Sequence, residues 1–400
     1  MTNVLLTSSM ITREALRVLH QKLNFVGSIN RSYDDRFANE GAKIGDTLRI
    51  RLPNQYTVRS GATLSTQFTT EQQVNLQVNQ QRGVDLTFTS VDLTLSLDDF
   101  SERILEPAMA VLAANVEADA LSMYRDVSQS VWNGGAAANF GRVLAGRKIM
   151  QDSLAPLNAR TALLNTQDNV DMVDALKGLF NDTTNLSKQY REGYMGRTAG
   201  FDFTENTLIP RHTRGAGNTA YTTSTLVAAL PVSATPVTQI TVAAGSGALT
   251  RGDVFTIANV FAVHPETKAN TGVLQQFVVR ADYAGGAGTV QISPSIVLSG
   301  GAQNVVIPTT NASAVITFAG AASIAVGTSL LYQKDAFAFA TADLEMPRGV
   351  DFSSRQVMDG ISMRIVRQYD IVNDRFPCRV DILYGYQTIR PQLAVRLHNN

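Results

Sequence analysis

Histidine, cysteine and paired carboxylates are the side chains from which catalytic and metal sites are most often built, so their spacing comes first. The four histidines, His20, His212, His264 and His398, are spread along the 400-residue chain. No two are close enough in sequence to form a helical zinc-binding pair. Cys378 is the single cysteine, which excludes an intrachain disulfide and an all-cysteine metal site. It sits in an alternating strand pattern with no histidine nearby to activate it, so it reads as packing. Glu117 and Asp119 are two apart on a helical pattern, do not share a face, and read as solvent-facing charges. Gly215-Ala216-Gly217-Asn218-Thr219-Ala220 spells G-x-G-x-x-A, but Pro210 to Arg214 precede it and a Thr/Ser-rich stretch follows. A dinucleotide site needs a strand before and a helix after, so a loop is expected. Arg251-Gly252-Asp253 matches an adhesion tripeptide and reads as a tight turn into a strand. The residue types point to no enzyme, no metal and no cofactor.

Composition narrows the class further. The chain has 34 basic and 34 acidic residues and 44% hydrophobic residues. That is too apolar and too charge-poor for a disordered chain, and it lacks the basic excess of a dedicated nucleic-acid binder. No apolar run is long enough to span a membrane, and the N-terminus has neither the basic start nor the apolar stretch of a secretion signal. Assembly in the cytosol is expected.

Around these residues the pattern predicts the elements. Ile11, Ala15, Leu16, Leu19 and Leu23 line one helical face over 11–24. Leu48, Ile50 and Leu52, then Val74, Leu76 and Val78, then Val84, Leu86 and Phe88 alternate with polar residues. With few large apolar residues between 53 and 73, residues 46–90 read as a long two-stranded arm with little core of its own. Such a hairpin is marginal in water unless something holds it, either a neighbouring subunit or its own domain. Met109, Leu112, Val116, Ala120, Met123 and Val127 predict a helix from Pro107 to Val127, about 30 Å long, with caps at Asp98, Asp99 or Ser101 before it. Residues 141–150 and 167–180 read as helices and 161–164 as a short buried strand.

Charge thins out abruptly over 215–330, which holds three basic and three acidic residues. Short β runs at 239–242, 254–257, 276–279, 289–292 and 314–318 predict a small all-β barrel or sandwich inserted into a host. Strands at 360–367 and 378–385 then complete the host.

The order of these elements resembles the tailed-phage major capsid proteins of the HK97-type fold. The likeness is to the coat-protein branch with an inserted β-domain, found in short-tailed Salmonella phages. It rests on Ile11-Thr12-Arg13-Glu14-Ala15-Leu16 with Asn30-Arg31-Ser32-Tyr33, on Gly45-Asp46-Thr47 to Pro53, and on Glu106-Pro107-Ala108 to Asp119. Ala199 to Asn206, Lys334 to Ala338 and Tyr384-Gly385 with Thr388 to Pro391 add to it. The resemblance implies an α+β fold with an N-terminal arm (1–45), an extended β loop (46–90) and a peripheral domain with its spine helix (91–150). It further implies an axial domain (151–214), an inserted β-barrel-like domain (215–330) and return strands (331–400).

By function it implies an icosahedral shell of pentamers and hexamers around double-stranded DNA, assembled in the host cytoplasm. Scaffolding and portal proteins and a possible decoration protein are the implied partners, and contact with DNA is non-specific. It supplies no catalytic residues. Arg49, Arg51, Arg59, Phe68 and Arg82 are the inter-subunit contact candidates. Some members weld subunits through a lysine–asparagine bond from the extended loop, but residues 44–147 contain no lysine. An encapsulin-like compartment shell is the nearest rival reading. A β-rich adhesion or glycan-binding module is the next, weakened by a single tryptophan, Trp132, outside the low-charge segment.

Overall fold

The computed structural model describes residues 8–32, 47–64, 66–67, 71–88, 106–176, 196–217, 221–223, 236–308, 313–358, 361–372 and 375–399. Phe68, the caps at Asp98, Asp99 and Ser101, and the side chain of His20 lie outside the described residues. Contacts divide the chain into two bodies. The first comprises Met1–Ile50, Val74–Leu121 and Phe337–Ile389; the second comprises Arg51–Gln73, Ser122–Ala336 and Arg390–Asn400.

In the first body, helix α1 (Ser8–Lys22) and the single turn α2 (Phe25–Ser28) pack beside α3 (Glu106–Leu121). Ala15, Leu16 and Leu19 of α1 and Met109, Leu112, Val116 and Ala120 of α3 are buried, as a three-and-four spacing requires. The helix predicted to reach Val127 stops earlier. At Ser122–Asp126 the chain tightens into a 3-10 turn closed by Val127 N–H donating to Tyr124 O, 3.2 Å. The α-helical part is therefore about 24 Å long. Apolar spacing alone does not separate the two helix types over so short a stretch.

Beneath the helices lies a five-stranded antiparallel sheet organised by the long strand Phe376–Thr388. One edge of it pairs with Ile361–Arg367 and then with Phe337–Ala342, and the other edge pairs with Gln80–Phe88. Strand Phe352–Met358 lies outermost, against Ile361–Arg367. Residues 80–88 are thus a sheet member and not the return leg of an arm. Only Thr47–Arg51 and Gln73–Gln77 form the isolated two-stranded pair. A period of two announces a strand but not its partner, which is why the sequence assigns both legs to one hairpin.

The second body has two sheets. The first runs in the order Ser130–Trp132, Ala394–Asn399, Ala325–Gln333, Arg160–Leu164, Phe201–Glu205, Arg197–Thr198, with His212–Thr213 pairing Ala325–Val326. Its middle strands are buried along almost their whole length, Ala325 excepted, and α4 (Phe140–Asp152) lies on it. Gly146 allows that approach, because a Cβ there would strike Leu331 and press on Leu397. Helix α5 (Thr166–Leu176) follows Arg160–Leu164.

The second sheet closes on itself. Thr222–Thr223, Val237–Ala244, Gly288–Ile296, Asn270–Val279 and Val254–Val263 pair in that order. Ile316–Phe318 then pairs Val254–Val263, and the bridge Thr222–Val315 completes the ring. Inside are Tyr221, Ile240, Phe255, Ile257, Phe277, Val290 and Ile316, a core drawn wholly from the low-charge segment. Closure removes the exposed sheet edges that would otherwise invite pairing.

Candidate functional site

Four of the five contact candidates fall within the described residues, and the structure separates them. Arg49 is exposed on Thr47–Arg51. Arg51 and Arg59 belong to an extended segment without regular structure after Arg51. Arg51 Nη1 reaches Glu71 Oε1 at 3.5 Å with both side chains open to solvent. Arg59 folds back to donate to the carbonyls of Gly61 and Thr63, the latter at 3.2 Å. On the same segment Tyr56, Val58 and Leu64 are exposed, Val58 at 96%. Arg82 instead sits in the five-stranded sheet. Its Nε donates to Asp119 Oδ2 at 3.0 Å, and the Tyr384 hydroxyl donates to the same oxygen at 2.6 Å. Burial, and then the hydrogen bond to Asp119, raise the Tyr384 phenol above its ordinary value, so it stays protonated.

Glu117 is therefore not a solvent-facing charge, and Asp119 is only partly exposed. Glu117 is 1% exposed and accepts the backbone N–H groups of Asn24, Phe25 and Val26, at 3.1 Å from Asn24 and 3.2 Å from Val26. Asn24 makes no side-chain cap to α2, so a carboxylate remote in sequence supplies it. The signal was present: Glu117 stands four residues after buried Ala113 and three before buried Ala120, inside the apolar stripe of α3.

Histidines that are distant in sequence do meet in the second body. His212 Nε2 lies 3.0 Å from Asp253 Oδ1, and its Nδ1 lies 3.3 Å from the Tyr124 hydroxyl. The His212 and His398 rings are 6.3 Å apart, and Trp132 stands 5.8 Å from His398. A histidine between a tyrosine and a carboxylate resembles a proton relay. Here, however, all three partners are buried, and Asp253 also accepts from Gly215 N (3.0 Å) and Thr250 N (2.9 Å). Its oxygens are spent holding the chain where it enters and turns within the low-charge segment.

The Arg251-Gly252-Asp253 tripeptide is that turn, with Gly252 at φ 100°. Arg251 and Arg280 both grip Asp126, at 3.0 and 2.6 Å. With Asp253 1% exposed, an adhesion receptor has no carboxylate to reach. Gly215 and Gly217 lie in a loop whose next described strand is Thr222–Thr223, and no helix follows them among the described residues. Cys378 is buried and its thiol is pushed up to about 12 by that burial. Among the described residues no group of histidine, cysteine and acidic side chains has the geometry of a metal site. No helix among them is long and apolar enough to cross a membrane.

Polar side chains spent on one another, apolar and cationic side chains left outward on a coreless segment, and a closed barrel define a structural subunit. The chain belongs to the P22 coat protein family: the family described as P22 coat protein, gene protein 5, matches residues 3–398. It is a phage coat protein with a major capsid structural role, a non-enzymatic component of the virion. No curated protein shows a significant match.

Solved structures similar in fold include Mycobacterium phage Che8, at 11% identity and TM-score 0.47 over 94% of this chain and 90% of that one. The mature capsid of bacteriophage PhiM1 is 11% identical, with TM-score 0.41 over 88% and 82%. The capsid of a native GTA particle is 9% identical, with TM-score 0.43 over 100% and 92%. The architecture of this chain is mixed α+β.

Proposed function

We propose that copies of this chain assemble into a closed, non-covalent icosahedral shell, in pentamers and hexamers, around a double-stranded DNA genome. A scaffolding protein and a portal act as partners, and a decoration protein is a further possible one. The observation that carries the reading is the segment Arg51–Gln73. None of its described residues is buried, and it holds Tyr56, Val58 and Leu64 in solvent on the same segment as Arg51 and Arg59. Apolar groups exposed in that way are stabilised when a neighbouring copy covers them. Many moderate contacts of this kind, repeated by symmetry, make a shell cooperative without any single tight interface.

DNA contact is weak and sequence-blind, through backbone phosphates, a reading that fits a chain of zero net charge. Negative-stain microscopy of the purified protein, with and without a scaffolding protein, tests the reading: closed shells support it, and subunits that stay single at high concentration in both samples count against it. Nuclease-protected DNA inside particles separates a genome shell from a compartment with protein cargo.

The low-charge barrel is, in this reading, an inserted domain that stabilises the subunit. His212–Thr213 leads into it and Ala325–Val326 leads out, and these two segments pair with each other. Deleting 216–323, which spares the strand Ala325–Gln333, is expected to leave an insoluble chain; wild-type solubility and shell yield would speak against the role.

A further inference from the structure

Two buried oxygens in the second body each lack a hydrogen, and one proton answers both. Asp168 stands in the first turn of α5 and is 0% exposed; Asn399 closes the last strand, Ala394–Asn399, and is 1% exposed. Asn399 Nδ2 donates to Asp168 Oδ2 at 2.8 Å, and the Ser329 hydroxyl donates to the same oxygen at 2.5 Å. Ser329 in turn accepts from Asn165 N at 3.1 Å, and Asn165 Oδ1 accepts from Asp168 N at 2.7 Å. Asp168 Oδ1 and Asn399 Oδ1 have no hydrogen-bond partner among the described residues. Carboxylate and amide oxygens only accept, so neither can answer the other while Asp168 is ionised. Buried polar atoms are nearly always paired. A protonated carboxyl gains one O–H donor, and the side chain already bonded to it carries the other orphan acceptor.

No opposite charge faces this carboxyl from the elements packed around it. Ser329 and Asn399 share one face of their sheet with Leu331 and Leu397, because paired residues and alternate residues along a strand point the same way. Tyr332, Arg396 and His398, the titratable groups of these two strands, alternate to the opposite face. Helix α4 covers the near face with Val143, Gly146 and Met150, and its Arg142, Arg147, Lys148 and Asp152 are not buried. Arg160, on the neighbouring strand, spends its guanidinium on the carbonyls of Ala155 and Pro156. The charges on α5 itself, Asp171 and Asp174, are acidic, and so is Glu205, which accepts from Asn169. Burial raises the Asp168 carboxyl above its ordinary value of 3.8, and Asp171 adds to the rise; the bonds from Ser329, Asn399 and Asn165 oppose it.

We propose that Asp168 is a neutral carboxylic acid in the folded subunit at neutral pH, with its proton on Oδ1 donated to Asn399 Oδ1. Carboxyl and amide then exchange two hydrogen bonds, one in each direction, and the pair latches the last strand to α5. Loss of the proton leaves a buried anion facing an amide oxygen, and the latch weakens. A folded value raised above the unfolded one contributes stability that is complete below about pH 3.8 and is lost as pH rises through the folded value.

Infrared spectroscopy of the full-length subunit at pH 7 reads the proton directly. The band of an un-ionised carboxyl is expected in the folded protein and is lost in denaturant. Asp168→Asn supplies a donor and an acceptor with no proton to lose. It is expected to lack that band and to melt at or above the wild type at pH 7. Its advantage should widen by about 2 °C per pH unit between pH 5 and 7. Asp168→Ala is expected to melt below both. Absence of the band from folded wild-type protein, a reading that needs no variant to fold, overturns the proposal. So does an Asp168→Asn subunit that melts as low as Asp168→Ala.

Discussion

Glu117 shows how far one side chain can act from its place in the sequence. Its carboxylate caps a turn that begins 93 residues earlier, and without it three N–H groups would be left beneath α1 and α3 with no acceptor. Glu117→Ala is expected to cost about 3 kcal/mol, read as a lower denaturation midpoint, while Glu117→Gln keeps an acceptor and loses about 1 kcal/mol. Cys378 gives a second test. Its thiol is held near 12 by burial, against an ordinary value of 9.0, with Arg367 pulling weakly the other way. A folded value raised above the unfolded one contributes stability that is complete below about pH 9. It is lost as pH climbs toward 12, since the unfolded chain sheds the proton first. Native protein should therefore resist thiol labelling at pH 8 and become reactive in denaturant. Above pH 9 its melting temperature should fall more steeply than that of Cys378→Ala. Rapid native labelling would show that the strand is open.

At the scale of elements, the long strand Phe376–Thr388 is the organiser of its sheet, and glycine marks where its neighbour comes closest. A Cβ on Gly83 would meet the Asp381 carboxylate and the Val380 carbonyl. Asp381 is in turn held by Arg364 at 2.7 Å, so it cannot readily swing aside. Gly83→Ala is expected to destabilise the subunit by about 1–3 kcal/mol, visible as a drop in melting temperature. An unchanged melting temperature would mean that the Gln80–Phe88 pairing is looser than its register implies. The barrel is the contrasting element: its core comes from one continuous low-charge stretch, a stretch that composition alone marks out. Its closure was not legible there, because a β run at 314–318 does not announce that Val315 will bridge Thr222.

For the molecule as a building block, the shell proposed for it should be separable by detergent. With Lys43 and Lys148 the nearest lysines on either side of the extended loop, no amine from 44–147 can attack an asparagine of a neighbour. Mature particles boiled in SDS should run as single subunits; a ladder of linked chains would overturn this.

Helix and strand periods, the charge-poor segment and the lack of any catalytic spacing were all readable from the linear chain, because each depends on neighbours within a few residues. So was the loop reading of the glycine motif. Partners were not readable. The spacing of Val84, Leu86 and Phe88 is the same whether the strand lines an arm or joins a sheet, and nothing near Glu117 in sequence announces α2. His212 and His398 are 186 residues apart and meet because Ala325–Gln333 pairs with the strands carrying both. Local sequence sets how the backbone bends. Which surfaces are buried together, and which polar atoms are left there without a partner, is decided only when distant strands close on one another.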